Sequence, residues 1–170
     1  MKERTVAPGE HLVQELQWIH GILRQDLATI RELAAQAAGG ASAVHITTTI
    51  RSLQTQSPLW QLRVNCLQYC QFVHHHHGLE SAMLFPALRQ ADPSLARTVD
   101  RLESDHRKVS DLLDTVEAIA GLLGTDQDAD ARRRLAGALN ELGAHLLEHL
   151  DFEERSISPT LRSWRRWPWE

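Results

Sequence analysis

The sequence predicts an all-α protein, an antiparallel up-down four-helix bundle with a short extra helix before the second long one and a Trp-rich C-terminal tail. Three observations carry this. Apolar residues recur at three- and four-residue steps over long stretches, which is the period of a helix with one buried face. The breaks between those stretches are clusters of Gly, Pro and Asp. No segment alternates apolar and polar with the period of two that a half-buried strand needs, so strands are not expected.

The first helix starts after Pro8-Gly9 and carries Leu12, Leu16, Ile19, Leu23, Leu27, Ile30 and Leu33 on one stripe, ending near Gly39-Gly40. A shorter apolar segment, Val44 to Leu53, gives the extra helix. Ser57-Pro58 is a start signal, because proline needs no amide partner in a first helical turn. The second long helix follows with Leu59, Leu62, Cys66, Tyr69, Val73, His76, Glu80 and Met83. Pro86 lacks an amide hydrogen and clashes with the preceding turn, so it is expected to end or kink that helix. Asp92-Pro93-Ser94 opens the third helix, whose stripe is Leu95, Val99, Leu102, His106, Val109, Leu113, Val116 and Ile119, and Gly121 to Gly124 end it. The fourth runs from about Ala129 towards Ser156, with Pro159 closing it. Short connections between long helices make the bundle. It occupies about residues 10–158 of a single domain, and the tail, 159–170, is expected to cover one end.

The bulk composition narrows the function. A chain of 170 residues is long enough to bury roughly 70% of its unfolded surface in one core. A net charge of −4 argues against nucleic acid as a partner, since duplex binding leaves a basic footprint. No apolar run approaches the ~18 residues that span a bilayer, and the N-terminus has no apolar signal core, so no membrane is implied. Only Cys66 and Cys70 are present, too few for a disulfide framework, which makes the cytoplasm the expected location.

Histidine is the outlier, with ten in the chain, and it sits in a repeated block. His76-His77-Gly78-Leu79-Glu80 runs into Leu84-Phe85-Pro86, and His149-Leu150-Asp151-Phe152-Glu153 runs into Ile157-Ser158-Pro159. In both copies a Glu follows a His by one helical turn, which puts an imidazole and a carboxylate side by side on one face. His20 and His106 interrupt the apolar stripes of the other two helices. Burying imidazoles and two carboxylates without partners costs several kcal/mol. Two cations that neutralise Glu80 and Glu153 and accept lone pairs from His20, His76, His106 and His149 remove that cost. Imidazole with carboxylate, and room for more than four donors, suits iron or manganese better than four-coordinate zinc.

At these residues the chain resembles the hemerythrin-like, cation-binding four-helix family, from about His11 to Leu161. The resemblance rests on His76-His77-x-x-Glu80 with Leu84-Phe85-Pro86, on His149-x-x-x-Glu153-Glu154 and on Asp105-His106-Arg107. It implies a non-haem centre of two iron ions with an oxo or hydroxo bridge, ligated by His20, His76, Glu80, His106, His149 and Glu153, with both carboxylates bridging. It also implies a small oxidant as partner: dioxygen, hydrogen peroxide or nitric oxide, bound or turned over in a catalase- or peroxidase-like way. The alternative is an oxygen, redox or iron sensor, or an iron-handling protein, without turnover. A monomer or weak homodimer is expected.

The chain departs from the oxygen-carrying members, which have a further His one turn after the helix-three His where this sequence has Ser110. His145, one turn before His149, is the candidate to fill that seat. Tyr69 is about 10 Å along the helix from His76, so it is placed beyond the direct ligands, as a redox-buffering residue. His77 flanks the inward face, where it would hydrogen-bond a ligand carboxylate, whereas His74 and His75 fall on solvated surface. Cys66, Cys70, His74 and His77 spread over ~16 Å of one helix and cannot converge on one ion.

Overall fold

A computed structural model describes residues 6–39, 58–125 and 128–170. Helix α1 spans Glu10–Ala38 and α2 spans Pro58–Leu79. A π turn over Glu80–Leu84 and a short helix α3, Phe85–Ala91, continue α2 as one rod. A 3₁₀ turn at Pro93–Leu95 leads into α4, Ala96–Ala120, and α5 spans Asp128–Leu161. Among the described residues there is no strand. The expected extra helix over Val44 to Leu53 lies outside the described residues.

The four rods close into a ring. α1 packs on α2 and α5, and α4 packs on α2 and α5. Every rod therefore has two main neighbours, with α3 also touching α5, and each apolar stripe turns into the shared interior.

Two helix ends differ from the sequence expectation. Pro86 does not end the second rod. The wide π turn just before it, closed by the Phe85 N–H donating to the Glu80 carbonyl, lets proline enter as an early residue of α3, where its missing N–H costs little. The rod breaks instead at Asp92, where the backbone becomes extended. Pro159 likewise lies inside α5, which ends at Leu161. A proline there forgoes the one bond to the carbonyl four residues earlier, and the helix ends two residues later, so little of the ladder is lost.

The interior has three layers. The larger apolar cluster takes residues of α1 from Leu23 to Ala37, of α2 from Leu62 to Val73, of α4 from Val109 to Ala120 and of α5 from Ala131 to Leu150. The smaller one takes Leu12, Val13 and Leu16 of α1, Leu84, Phe85 and Leu88 of the second rod, Val99 and Leu102 of α4, and Ile157 and Leu161 of α5. On each rod the polar residues of the repeated blocks and of the two interrupted stripes fall where one cluster gives way to the other.

Residues after α5 fold back along α1. The Gly9 N–H donates to the Arg162 carbonyl at 3.0 Å, and a Cβ on Gly9 would stand 1.8 Å from the Leu161 carbonyl oxygen. Only glycine permits that approach. Trp167 joins the smaller cluster.

Candidate metal centre

His20, His76, Glu80, His106, His149 and Glu153 all lie in the polar layer, each at most 8% exposed. Their donor atoms face one another. Glu80 presents Oε1 to His76 Nε2 at 3.0 Å and to His20 Nε2 at 4.0 Å, and Oε2 to His106 Nε2 at 3.3 Å. Glu153 Oε2 lies 3.5 Å from His20 Nε2 and 3.6 Å from His149 Nε2. The Nε2 atoms of His106 and His149 are 3.1 Å apart, the spacing of neighbouring donors each about 2.1 Å from one ion.

Five of these six, joined by His77, form two groups, His77–Glu80–His106–His149 and His20–His76–Glu80, in each of which the donor atoms lie within 4.8 Å of one another, and Glu153 is in neither. Glu80 belongs to both. A carboxylate with one oxygen in each group has the geometry of a bridge.

His77 is a full member of this layer, beyond the flanking position read from the sequence. It is buried, and its ring stacks on His106 with centroids 3.9 Å apart and planes 8° apart. The reason lies in the ring of helices. α2 stands between α1 and α4, and successive residues on a helix point about 100° apart. His76 therefore turns to His20 of α1, with ring centroids 5.3 Å apart, and His77 turns to His106 of α4. The adjacent pair His76-His77 three and four residues before Glu80 is the signal that marks this.

His145 is not brought into the centre. It is exposed on α5, because one turn before His149 the interior belongs to Leu142 and Leu146 of the larger apolar cluster. Ser110 is half-buried and lines a cavity of about 400 Å³ beside His77 and His106. Tyr69 is buried in the larger cluster and donates to the Leu23 carbonyl at 3.0 Å. Burial, then Cys70 and Asp26 nearby, push its phenol well above the usual range. His74 stands outside the centre, 3.4 Å from Asp114 and 3.8 Å from Glu117. Cys66 and Cys70 are buried free thiols, and burial pushes Cys66 up to about 12, so it is an inert core residue.

Three imidazoles are gripped from behind. His20 Nδ1 is 2.9 Å from Glu154 Oε1, which also accepts from Arg24 at 2.8 Å. His106 Nδ1 is 2.8 Å from Ser81 Oγ, and His149 Nδ1 is 3.4 Å from Asp105 Oδ2. Occupying Nδ1 fixes the ring and turns Nε2 inward, the arrangement that metal-ligating histidines adopt. Glu154 and Asp105 stand directly beside Glu153 and His106 in the motif blocks.

Protonation follows from burial. Burial lowers His20, opposed by Glu154. Burial and the neighbouring His106 hold His77 well below its ordinary value, and the same two causes bring His149 down to about 3. Burial would raise Glu80, but the imidazoles of His76, His106 and His77 around it hold it well below the carboxylate range. Glu153 is driven well above that range by burial, then by Glu80, Glu154 and Asp105. The pocket thus presents His20, His77 and His149 as neutral imidazoles and Glu80 as a carboxylate, which is the state that ligates cations.

A direct test of fit comes from the unpartnered atoms. Among the described residues seven buried side-chain atoms make no hydrogen bond: His20 Nε2, His76 Nε2, His77 Nε2 and both carboxylate oxygens of Glu80 and of Glu153. Native interiors rarely leave such groups unsatisfied. All seven belong to the same layer, and cations coordinated by them would satisfy every one.

The profile of the hemerythrin HHE cation-binding domain matches residues 11–161. No significant match to a curated protein or to a solved structure was found.

Proposed function

Because the chain belongs to the hemerythrin HHE cation-binding domain family, we propose that its buried layer holds two iron ions and binds or reduces a small oxidant. The ligands in this reading are His20, His76, Glu80, His106, His149 and Glu153, with His77 in the seat that sequence assigned to His145. The observation that carries it is the convergence of seven unpartnered buried donor atoms on one layer. Iron there would supply one-electron chemistry toward dioxygen, hydrogen peroxide or nitric oxide.

The chain's own residues do the rest. Glu80, with an oxygen toward each group, ties the two halves together. Glu154, Ser81 and Asp105 hold the imidazoles in the donor tautomer. Apolar layers on both sides keep bulk water out and so strengthen every electrostatic contact inside. The order in which the apolar clusters occur along each rod supports the up-down antiparallel bundle. The two buried thiols fit a reducing cytoplasm.

Protein loaded anaerobically with ferrous iron is expected to bind two ions per chain and to change its near-ultraviolet absorption on addition of dioxygen or peroxide. Iron-loaded protein with an unchanged spectrum and no consumption of peroxide would reject the oxidant reading and leave cation binding alone. A sensor without turnover is favoured by one feature, the docking of Trp167 and Trp169 beside His76 and Glu80. Spectral change without peroxide consumption would select it.

A further inference from the structure

A chamber of about 240 Å³ lies between α1, the second rod and residues 162–170. Leu16, Ile19, Leu79 and Leu84 give it apolar walls, Trp167 and Trp169 complete them, and His76 and Glu80 border it. It is smaller than the roughly 300–1,000 Å³ of pockets that take drug-sized ligands, so its occupant has only a few heavy atoms.

The two indoles stack with centroids 4.8 Å apart and planes 9° apart. Trp167 is pinned: its indole N–H donates to Glu15 at 2.7 Å, and its backbone N–H donates to the Glu170 carboxylate at 2.9 Å. Glu15, Glu80 and Glu170 line the chamber, and among the described residues no Lys or Arg does. An anion entering would pass the exposed carboxylates of Glu15 and Glu170 and meet Glu80 at the buried end, where repulsion is least screened. The cavity beside His77 and His106 is different, with Ser81, Glu103, Arg107 and Ser110 in its lining. The centre therefore has an apolar side rimmed by acids and a polar side that offers a guanidinium. The family profile ends at residue 161, so the Trp-bearing wall lies outside the matched region.

We infer that the chamber walled by Trp167 and Trp169 admits a small uncharged molecule, of dioxygen or nitric oxide size, to the His76–Glu80 side of the centre, while anions are confined to the polar side. Its route to a reactive centre rests on the proposed iron site, whereas its selectivity for an apolar guest does not.

Xenon, an uncharged probe of similar size, tests the guest on the full chain loaded with zinc. It is expected to shift the Trp167 indole N–H resonance saturably, and Ile19→Trp, which fills the chamber, should abolish that shift. In iron-loaded protein Ile19→Trp should slow nitric oxide association severalfold and leave azide association unchanged. Trp169→Ala, which opens the wall on an outer segment, should weaken the xenon shift and speed nitric oxide association. No saturable shift in the parent protein would overturn the inference, as would equal slowing of nitric oxide and azide, or a Trp169→Ala protein unchanged in both assays. A saturable xenon shift in protein whose iron ignores nitric oxide would refute the proposed iron chemistry while leaving the chamber's selectivity standing.

Discussion

An imidazole that gives one nitrogen to a cation must carry its proton on the other, so whatever sits behind the ring decides how well it ligates. Behind His20 sits Glu154, itself held by Arg24. Glu154→Gln keeps the shape and removes the charge, and it is expected to weaken metal affinity about 10–100-fold, read by competition with a chelator. An unchanged affinity would mean that Glu154 serves only the Arg24 ion pair. A second contrast separates the candidate ligands from their neighbours. His77→Ala should lower the metal content of purified protein, while His145→Ala and His74→Ala should not, since both lie outside the layer. Sequence alone brought out His20, His76, Glu80, His106, His149 and Glu153, because each polar side chain stands where an apolar stripe demands an inward residue. It could not rank His77 above His145. Both lie at the edge of a stripe, and which edge is inward depends on where the neighbouring helices stand, a tertiary fact that periodicity does not contain.

At the scale of elements, the second rod shows how local chemistry is overridden. Pro86 reads as a stop, and an α-helix would have to stop or kink there. The π turn over Glu80–Leu84 changes this by adding one residue to a turn, so that Glu80 and Phe85 both face inward although six residues span them inclusively. Phe85 packs against His106 at 4.8 Å between ring centroids, which joins the turn to the centre. Deleting exposed Ala82 would leave Glu80 and Phe85 four residues apart, the spacing at which an ordinary α turn puts both on one face. That variant is expected to keep both buried and to keep its metal. Inserting an alanine after Ala82 would instead rotate everything beyond it by about 100°, and the expected result is loss of metal from one half of the centre together with a lower melting temperature. Full metal content in the insertion variant would show that this register does not position Glu80. The four long helices were legible from their stripes and breakers. The π turn was not, because it is set by what Glu80 and Phe85 each pack against and leaves no periodic trace.

For the molecule as a whole, a polar layer between two apolar clusters makes folding and metal binding a single problem. Stripped of metal by a chelator, the layer keeps His20, His77 and His149 neutral, while the same residues in the unfolded chain take up protons below about pH 6.5. For His20, His77 and His149 the unfolded state therefore binds more protons as the pH falls, so their contribution makes the metal-free protein less stable from about 6.5 downward, towards the value of about 3 for His149. Glu80, held low, adds a loss of the same sign below the ordinary carboxylate range. Glu153 acts oppositely: raised in the folded state, it stabilises at low pH and loses that contribution as the pH rises through its folded value. Three imidazoles outweigh one carboxyl, so the chelated protein should melt lower at pH 5 than at pH 7 in calorimetry. At neutral pH a bound cation should remove the Glu153 penalty and satisfy the unpartnered atoms. An ion present at 1,000 times its dissociation constant adds about 4 kcal/mol, and for a chain of this size each kcal/mol raises the melting temperature by roughly 2–4 °C. Restoring metal at pH 7 should therefore raise it by roughly 8–16 °C per ion. A chelated protein that melts as high as the loaded one would mean that the seven buried atoms are satisfied without a cation, and the two-metal reading would fall with them.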